Sequence, residues 1–192
     1  MTRYLLSLFF MSMVLLGMAQ TEMNKYGPSK GNPFGSPHPE APEAVKDWEP
    51  MMGISDCISL SRNPDGTWQD SLKMVWQFKY IMNGTSVQDE TWIADGRTAT
   101  SIRQYNADSA NWVVTYAGSG FVSNTPGAWL GGMEEGDIVL KQPQKAPNGM
   151  DGTSRLTFFN ISDNGFDWKG EWVDKTEKII YPFWTISCRK RK

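Results

Sequence analysis

Side chains that could take part in catalysis or ligand binding are concentrated in the middle of the chain. Asp89 and Glu90 follow one another, and Arg103 and Tyr105 come shortly after them. A carboxyl group and a phenol with shifted pKa values can act as general acid and base. A carboxylate and an arginine can instead hold the polar end of a small molecule inside a mostly apolar pocket. These residue types therefore predict either an acid–base site or a binding site.

The sequence lacks the residues that several other kinds of site require. The only histidine, His38, lies between two prolines, so the pattern supplies no Ser-His or Cys-His pair for nucleophilic catalysis. No glycine-rich phosphate loop is present, and Cys57 and Cys188 do not form a paired CxxC motif. The sequence therefore predicts no metal site. It leaves open whether the protein is an enzyme, and it favours a binding protein over an enzyme.

The elements that must position these side chains are predicted to be strands. Residues 67–80 alternate between large apolar and polar side chains, a period of two and not 3.6. One face would carry Trp68, Leu72, Met74, Trp76, Phe78 and Tyr80. Turn sequences such as Asn-Gly at 83–84 and Asp-Gly at 95–96 divide the chain further, so that about ten strands follow between 54 and 189.

Short connections between these strands favour an antiparallel meander. Closing such a meander removes its exposed edges. We therefore predict an all-β fold, an antiparallel up-and-down β-barrel of about ten strands, preceded by a short helix that ends at Pro50. An even strand number would place the first strand beside the last. Cys57 and Cys188 would then be neighbours and form a disulfide, although two buried free thiols remain the alternative.

The first residues predict export. Arg3, an apolar run over 5–16 and small residues at 17 and 19 form the pattern of a secretory signal peptide, residues 1–19. A retained membrane anchor is the alternative, and no later stretch is apolar enough to span a membrane. Residues 20–40 are rich in proline and glycine and predict a flexible linker. Residues 41–192 would form the barrel domain, in the periplasm or outside the cell.

Charge argues against some partners. The formal net charge is −2 at pH 7, and such a chain has no global field to recruit nucleic acid. We expect a monomer or a homodimer, whose partner is a small apolar or amphipathic molecule.

The barrel interior is the predicted binding site, since barrels of about eight strands or more have room for one small ligand. Alternation on individual strands suggests that aromatic and polar side chains share this interior. We predict the following ligand-binding residues: Trp76, Phe78, Glu90, Trp92, Arg103, Tyr105, Trp112 and Tyr116. Glu90 and Arg103 would orient the polar end of the ligand. They could instead form a structural ion pair, or lie on the outer face. A loop over 118–127, together with Trp129, could fold over the barrel mouth.

The ordered segments WQFKYIMNGTSVQDETWI, SIRQYNADSANWVVTY and RLTFFNISDNGFDWKGEWVD, with the final TISCRKR, resemble an uncharacterised bacterial family. Members of that family have a lipocalin-like, calycin-type barrel. The resemblance covers about 48–189 and implies a barrel with a ligand cavity. It does not identify a substrate. Its patterned positions correspond to Asp89 or Glu90, Trp92, Arg103, Tyr105, Trp112 and Trp168.

Related barrels include haem-binding nitrobindins, which hold haem through a histidine on a strand. This chain has no such histidine, so we predict no haem and no other cofactor. Two rival functions remain. One is a barrel enzyme of isomerase or cyclase type that uses an interior carboxylate and a tyrosine. The other is a structural or interaction module without a ligand.

Overall fold

Ten antiparallel strands form one closed barrel in the computed structural model, which describes residues 23–120, 122–124 and 127–192. Each strand pairs with its neighbours in sequence, and the last strand pairs with the first. The all-β, ten-stranded up-and-down barrel predicted from the sequence is confirmed. The strands are β1 (Gly53–Ser61), β2 (Leu72–Ile81), β3 (Ser86–Ile93), β4 (Thr98–Asn106), β5 (Asn111–Gly118), β6 (Ala128–Glu134), β7 (Asp137–Lys145), β8 (Asp151–Ser162), β9 (Gly165–Asp174) and β10 (Ile180–Lys190).

The seam of the barrel carries the disulfide. Cys57 on β1 lies opposite Cys188 on β10, and the two sulfur atoms are bonded. Both cysteines are buried. The predicted pairing is therefore confirmed, and the bond fixes the two strands that close the sheet.

Strand β2 is shorter than the alternation suggested. We predicted a strand over 67–80, but β2 begins at Leu72, and Trp68 forms only an isolated bridge with Arg62. The Arg62 guanidinium lies over the Trp68 ring at 5.0 Å and over the Tyr181 ring at 4.7 Å. Trp68 therefore belongs to a surface cation–π cluster and not to the inner face of the barrel.

A 3₁₀ helix over Glu43–Met51 closes one end of the barrel. Its buried face includes Trp48, which has no exposed surface. The Trp48 ring packs against Phe158 at 5.1 Å and Trp112 at 5.7 Å between centroids, both inside the barrel. The predicted short helix is present, and it ends one residue after Pro50.

Residues 23–40, for which the sequence predicts a flexible linker, are hydrogen-bonded to the closed end of the barrel. The Tyr80 N–H donates to the Phe34 carbonyl at 2.8 Å, and the His38 N–H donates to the Gly84 carbonyl at 3.0 Å. Strand β1 begins at Gly53 opposite Phe78, so Tyr80 has no partner on β1. The Phe34 carbonyl therefore supplies the acceptor that β1 does not provide for the Tyr80 N–H.

The predicted signal peptide, residues 1–19, lies outside the described residues. Among those described, no helix combines the length and the apolar character needed to cross a membrane.

Replacing both cysteines tests the contribution of the seam. A Cys57→Ser/Cys188→Ser double variant should lose about 5 kcal/mol of unfolding free energy, since the bond closes a loop of sequence separation 131 in the unfolded chain. Urea titration followed by tryptophan fluorescence measures the loss. The wild type in reductant should match the double variant, whereas reductant should leave the double variant unchanged. An unfolding midpoint equal to that of the wild type would contradict this role.

Tyr80 provides a second test at the closed end. Its side chain is 1% exposed, and its hydroxyl has no hydrogen-bond partner among the described residues. Burial, with smaller contributions from the negative charges of Glu49 and Asp47, raises the pKa of Tyr80 above its ordinary value of 10.0. The unfolded chain therefore loses this proton first as pH rises, so the titration of Tyr80 leaves the free energy of unfolding unchanged below about pH 10 and lowers it above that pH.

Tyr80→Phe should be at least as stable as the wild type at neutral pH, because a buried hydroxyl without a partner costs about 1 kcal/mol or more. Urea unfolding repeated from pH 8 to about pH 11 should also show a smaller alkaline loss for the variant. Identical alkaline losses for the two proteins would contradict the assignment.

Candidate functional site

A cavity of about 370 Å³ occupies the barrel between the 3₁₀ helix and the opposite end. It reaches the surface at Arg97, Thr98 and Gln144, all of which are exposed. Most of the lining is apolar or aromatic; it includes Met74, Trp76, Ile93, Val114, Trp129, Leu140, Leu156, Phe158, Trp168, Phe183, Trp184 and Ile186.

The walls of the cavity are built from aromatic side chains on strands that are far apart in sequence. Trp76 on β2 lies 5.6 Å from Phe158 on β8 and 6.3 Å from Trp168 on β9, measured between ring centroids. Trp168 in turn packs edge-to-face with Trp184 on β10 at 5.3 Å. Barrel closure places β2 and β9 on the two sides of β1 and β10, which brings these rings together.

An ion pair between adjacent strands forms the polar part of the interior. Arg103 Nη2 on β4 donates to Asp89 Oδ2 on β3 at 2.5 Å, and the Ser101 N–H donates to Asp89 Oδ1 at 2.8 Å. Asp89 and Arg103 are each 2% exposed. Both carboxylate oxygens are therefore hydrogen-bonded, which compensates for the removal of the charge from water.

Aromatic faces hold the Arg103 guanidinium from below. Its central carbon lies 4.4 Å from the Trp48 ring centroid and 5.0 Å from that of Phe78. Phe158 is also within cation–π range at 5.8 Å. Arg103 thus forms the floor of the cavity. Its guanidinium lies between the carboxylate of Asp89 and the ring of Trp48, which belongs to the 3₁₀ helix.

Three buried hydrogen-bond donors on residues that line the cavity lack a partner among the described residues. Arg103 Nε, Arg103 Nη1 and Trp76 Nε1 are buried without an acceptor among the described residues. Two other indoles of the lining are paired, since Trp129 donates to Ser154 Oγ and Trp184 donates to Ser59 Oγ. Buried donors of folded proteins are normally paired. Trp48 Nε1, Tyr80 Oη and Arg62 Nε are also buried without a partner, but these three residues do not line the cavity.

Tyr116 adds a further donor higher in the cavity. Burial, with the negative charge of Asp89, raises the pKa of Tyr116, while Arg97 acts in the opposite direction. Tyr116 therefore remains a protonated phenol at neutral pH, and a phenol can donate a hydrogen bond.

The structure divides the eight predicted ligand-binding residues into three groups. Trp76, Arg103 and Tyr116 line the cavity. Phe78, Tyr105 and Trp112 belong to the packed core around the closed end, where Trp112 donates to Asp47 of the helix at 3.0 Å. Glu90 and Trp92 lie on the outer face.

We predicted that the side chains of Glu90 and Trp92 point into the barrel, and this is wrong. The register between β2 and β3 places both side chains on the outer face. Phe78 lies opposite Asp89, and Trp76 lies opposite Thr91. Directly opposite residues of an antiparallel pair share a face, so Asp89 is inside and Glu90 is outside. Glu90 accepts a hydrogen bond from Lys79 at 2.8 Å on the outer surface, and Trp92 is 42% exposed.

Sequence reasoning named Asp89 only as an alternative to Glu90. The signal that selects Asp89 is present in the chain, because counting residues across the Asn-Gly turn at 83–84 pairs Phe78 with Asp89. Phe158 and Trp184 were not predicted as lining residues; their strands alternate, but no nearby turn relates their parity to that of β2.

The predicted cover of the mouth is only partly described. Val122 is 93% exposed and packs over nothing, whereas Phe121 lies outside the described residues. Trp129 lines the cavity as part of β6 and not as part of a covering loop.

Comparison with known proteins gives a fold and no family. No protein-family model and no curated protein sequence matches this chain. Among solved structures, Rv2717c from M. tuberculosis is similar with a TM-score of 0.53 and 10% identity, over 80% of this chain and 100% of that one. The S-type phycobiliprotein lyase CPES from Guillardia theta is similar with a TM-score of 0.50 and 9% identity, over 76% of this chain and 90% of that one.

Both neighbours are barrels, so the comparison supports the barrel at the level of the fold. Membership of the lipocalin-like family noted above stays a prediction. Within the part of the chain that the structure describes, no three histidine, cysteine or acidic side chains come together in a group that could hold a metal ion.

The interior ion pair can be tested by two matched substitutions on consecutive residues. Asp89→Asn should lose about 3 kcal/mol of unfolding free energy, because it leaves the buried Arg103 charge uncompensated. Glu90→Gln breaks the partly exposed pair with Lys79 and should lose about 1 kcal/mol or less. Urea unfolding of the two variants measures both values. Equal losses would contradict the placement of Asp89 inside and Glu90 outside.

Proposed function

We propose that this protein is an exported binding protein that holds a small, largely apolar molecule in its barrel cavity. The molecule enters through the open end, its apolar body lies against Trp76 and Trp168, and its polar end accepts hydrogen bonds at the floor. The observation that carries the proposal is the set of buried donors on Arg103 and Trp76 that have no acceptor among the described residues.

The make-up of the cavity supports this function. Small-molecule sites are concave and mostly apolar, with a few polar groups that orient the ligand. Here the lining is mostly apolar and aromatic, and the buried ion pair of Asp89 and Arg103 is its charged interior part. In this proposal Arg103 orients the polar end of the ligand, as predicted, and Asp89 in place of Glu90 holds Arg103 in position.

The rival functions receive less support. A structural module would need a filled interior, whereas a volume of about 370 Å³ is many times that of a water molecule. In a barrel enzyme the interior carboxylate would act on the substrate, whereas Asp89 is engaged by Arg103 and by the Ser101 N–H. The fold similarity, at 10% identity or less, does not separate these functions.

Export is supported by the disulfide. Disulfides form and persist in oxidising compartments such as the periplasm and the extracellular space. The bond between Cys57 and Cys188 is therefore in keeping with the signal peptide predicted at 1–19, and a monomer or homodimer remains our expectation for the mature protein.

Titration with prodan, a neutral naphthyl ketone whose emission shifts to the blue in apolar surroundings, tests the proposal. We expect one prodan to bind per chain with blue-shifted emission. Trp76→Phe keeps an aromatic ring but removes the indole N–H, and it should weaken binding by about two- to tenfold, the effect of one hydrogen bond.

Trp92→Phe makes the same chemical change on the outer face and should leave prodan binding unaltered. Absence of saturable binding to the wild type would overturn the proposed function. Equal effects of the two tryptophan substitutions would overturn the proposed site.

A further inference from the structure

The charges around the cavity restrict the kind of ligand that fits it. Of the described residues that line the cavity, only Asp89, Arg97 and Arg103 carry a formal charge. Arg97 lies at the opening, with 52% of its side chain exposed, and pairs with Asp95 at 2.7 Å. The interior therefore holds one positive and one negative charge, which are bonded to each other.

The positive charge at the floor is already compensated. Arg103 donates to Asp89, and its guanidinium lies over the faces of Trp48 and Phe78 at 4.4 and 5.0 Å. Aromatic faces attract a cation electrostatically, and the attraction is larger when water is excluded. Arg103 thus has a carboxylate and two rings as counterparts before any ligand enters.

A second carboxylate at the floor would be unfavourable. To reach the free Nε or Nη1 of Arg103, it would have to lie within a few ångströms of a guanidinium whose Nη2 is bonded to Asp89. Two carboxylates in such a site repel one another strongly, because water screens them poorly there. An uncharged acceptor uses the same donors without this repulsion.

The unpartnered groups are all donors. Trp76 Nε1 is an N–H that can only donate, as are Arg103 Nε and Nη1. A hydroxyl could accept from them as well, but it would also bring a proton that needs an acceptor of its own. A carbonyl oxygen has two lone pairs and no proton to place.

From these observations we infer that the ligand presents an uncharged carbonyl oxygen, as in a ketone, aldehyde, ester or amide, to Arg103 and Trp76, and that Asp89 excludes carboxylate ligands. This inference rests on the proposed function, since it specifies the polar end of the molecule that occupies the cavity.

The test uses three naphthalenes that carry an acetyl, a carboxylate or an ethyl group at the same ring position. Their affinities are measured by displacement of bound prodan at neutral pH. We expect the ketone to bind at least about tenfold more tightly than the carboxylate, from the like-charge repulsion, and severalfold more tightly than the ethyl compound, which offers no acceptor.

The Asp89→Asn variant should reverse the order of ketone and carboxylate. With Asp89 neutral, the carboxylate becomes the counterion of Arg103 and should gain about tenfold or more in affinity, while the ketone changes little. Glu90→Gln removes one negative charge from the adjacent outward position and should keep the wild-type order.

The possible results distinguish failure of the carbonyl inference from failure of the proposed binding function. Prodan binding together with a carboxylate that binds the wild type as tightly as the ketone would overturn the inference and leave the binding function intact. Equal affinities for ketone and ethyl compound, or no displacement by any of the three, would also overturn it. Because the ranking is measured on the wild type, it decides the inference even if Asp89→Asn does not fold.

Discussion

Closure of the sheet, through the pairing of β1 with β10, is the constraint on which the rest of this structure depends. It satisfies the backbone groups of both outer strands, and it turns one face of every strand into an interior from which bulk water is largely excluded. The disulfide between Cys57 and Cys188 lies on this seam. Without closure, Trp76 and Trp168 would lie on distant parts of an open sheet, and Asp89 and Arg103 would be solvated.

The packing of the interior changes along the barrel axis. At the closed end the 3₁₀ helix inserts Trp48 among the strands, and the barrel is packed with rings. The Arg103 guanidinium lies on this packed layer and forms its upper boundary, with Asp89 beside it. Beyond the boundary the rings line a hollow and no longer fill it. The same residue, Arg103, therefore completes the core on one side and faces the cavity on the other.

Much of the fold could be read from the chain because its signals are local. Alternation predicted that Arg103 and Tyr105 share the inner face of one strand, as observed, and Asn-Gly and Asp-Gly turns separated the strands. The even strand number predicted that Cys57 and Cys188 would be neighbours. The inner face of β3 was misassigned, because alternation gives two faces and does not say which one is inside. That choice follows from register, and a shift of one residue exchanges Asp89 and Glu90.

From the sequence alone one could predict a closed barrel of about ten strands, its first and last strands as neighbours, a short helix and the residue types available to a site, since periodicity and turn chemistry depend on near neighbours in the chain. The tertiary structure was needed to show that Trp48 lies under Arg103, that Trp76 Nε1 has no acceptor among the described residues, and that a cavity remains inside the barrel. These features depend on distances between segments brought together by closure, and on whether side-chain volumes fill the enclosed space. Neither quantity is encoded in any local pattern.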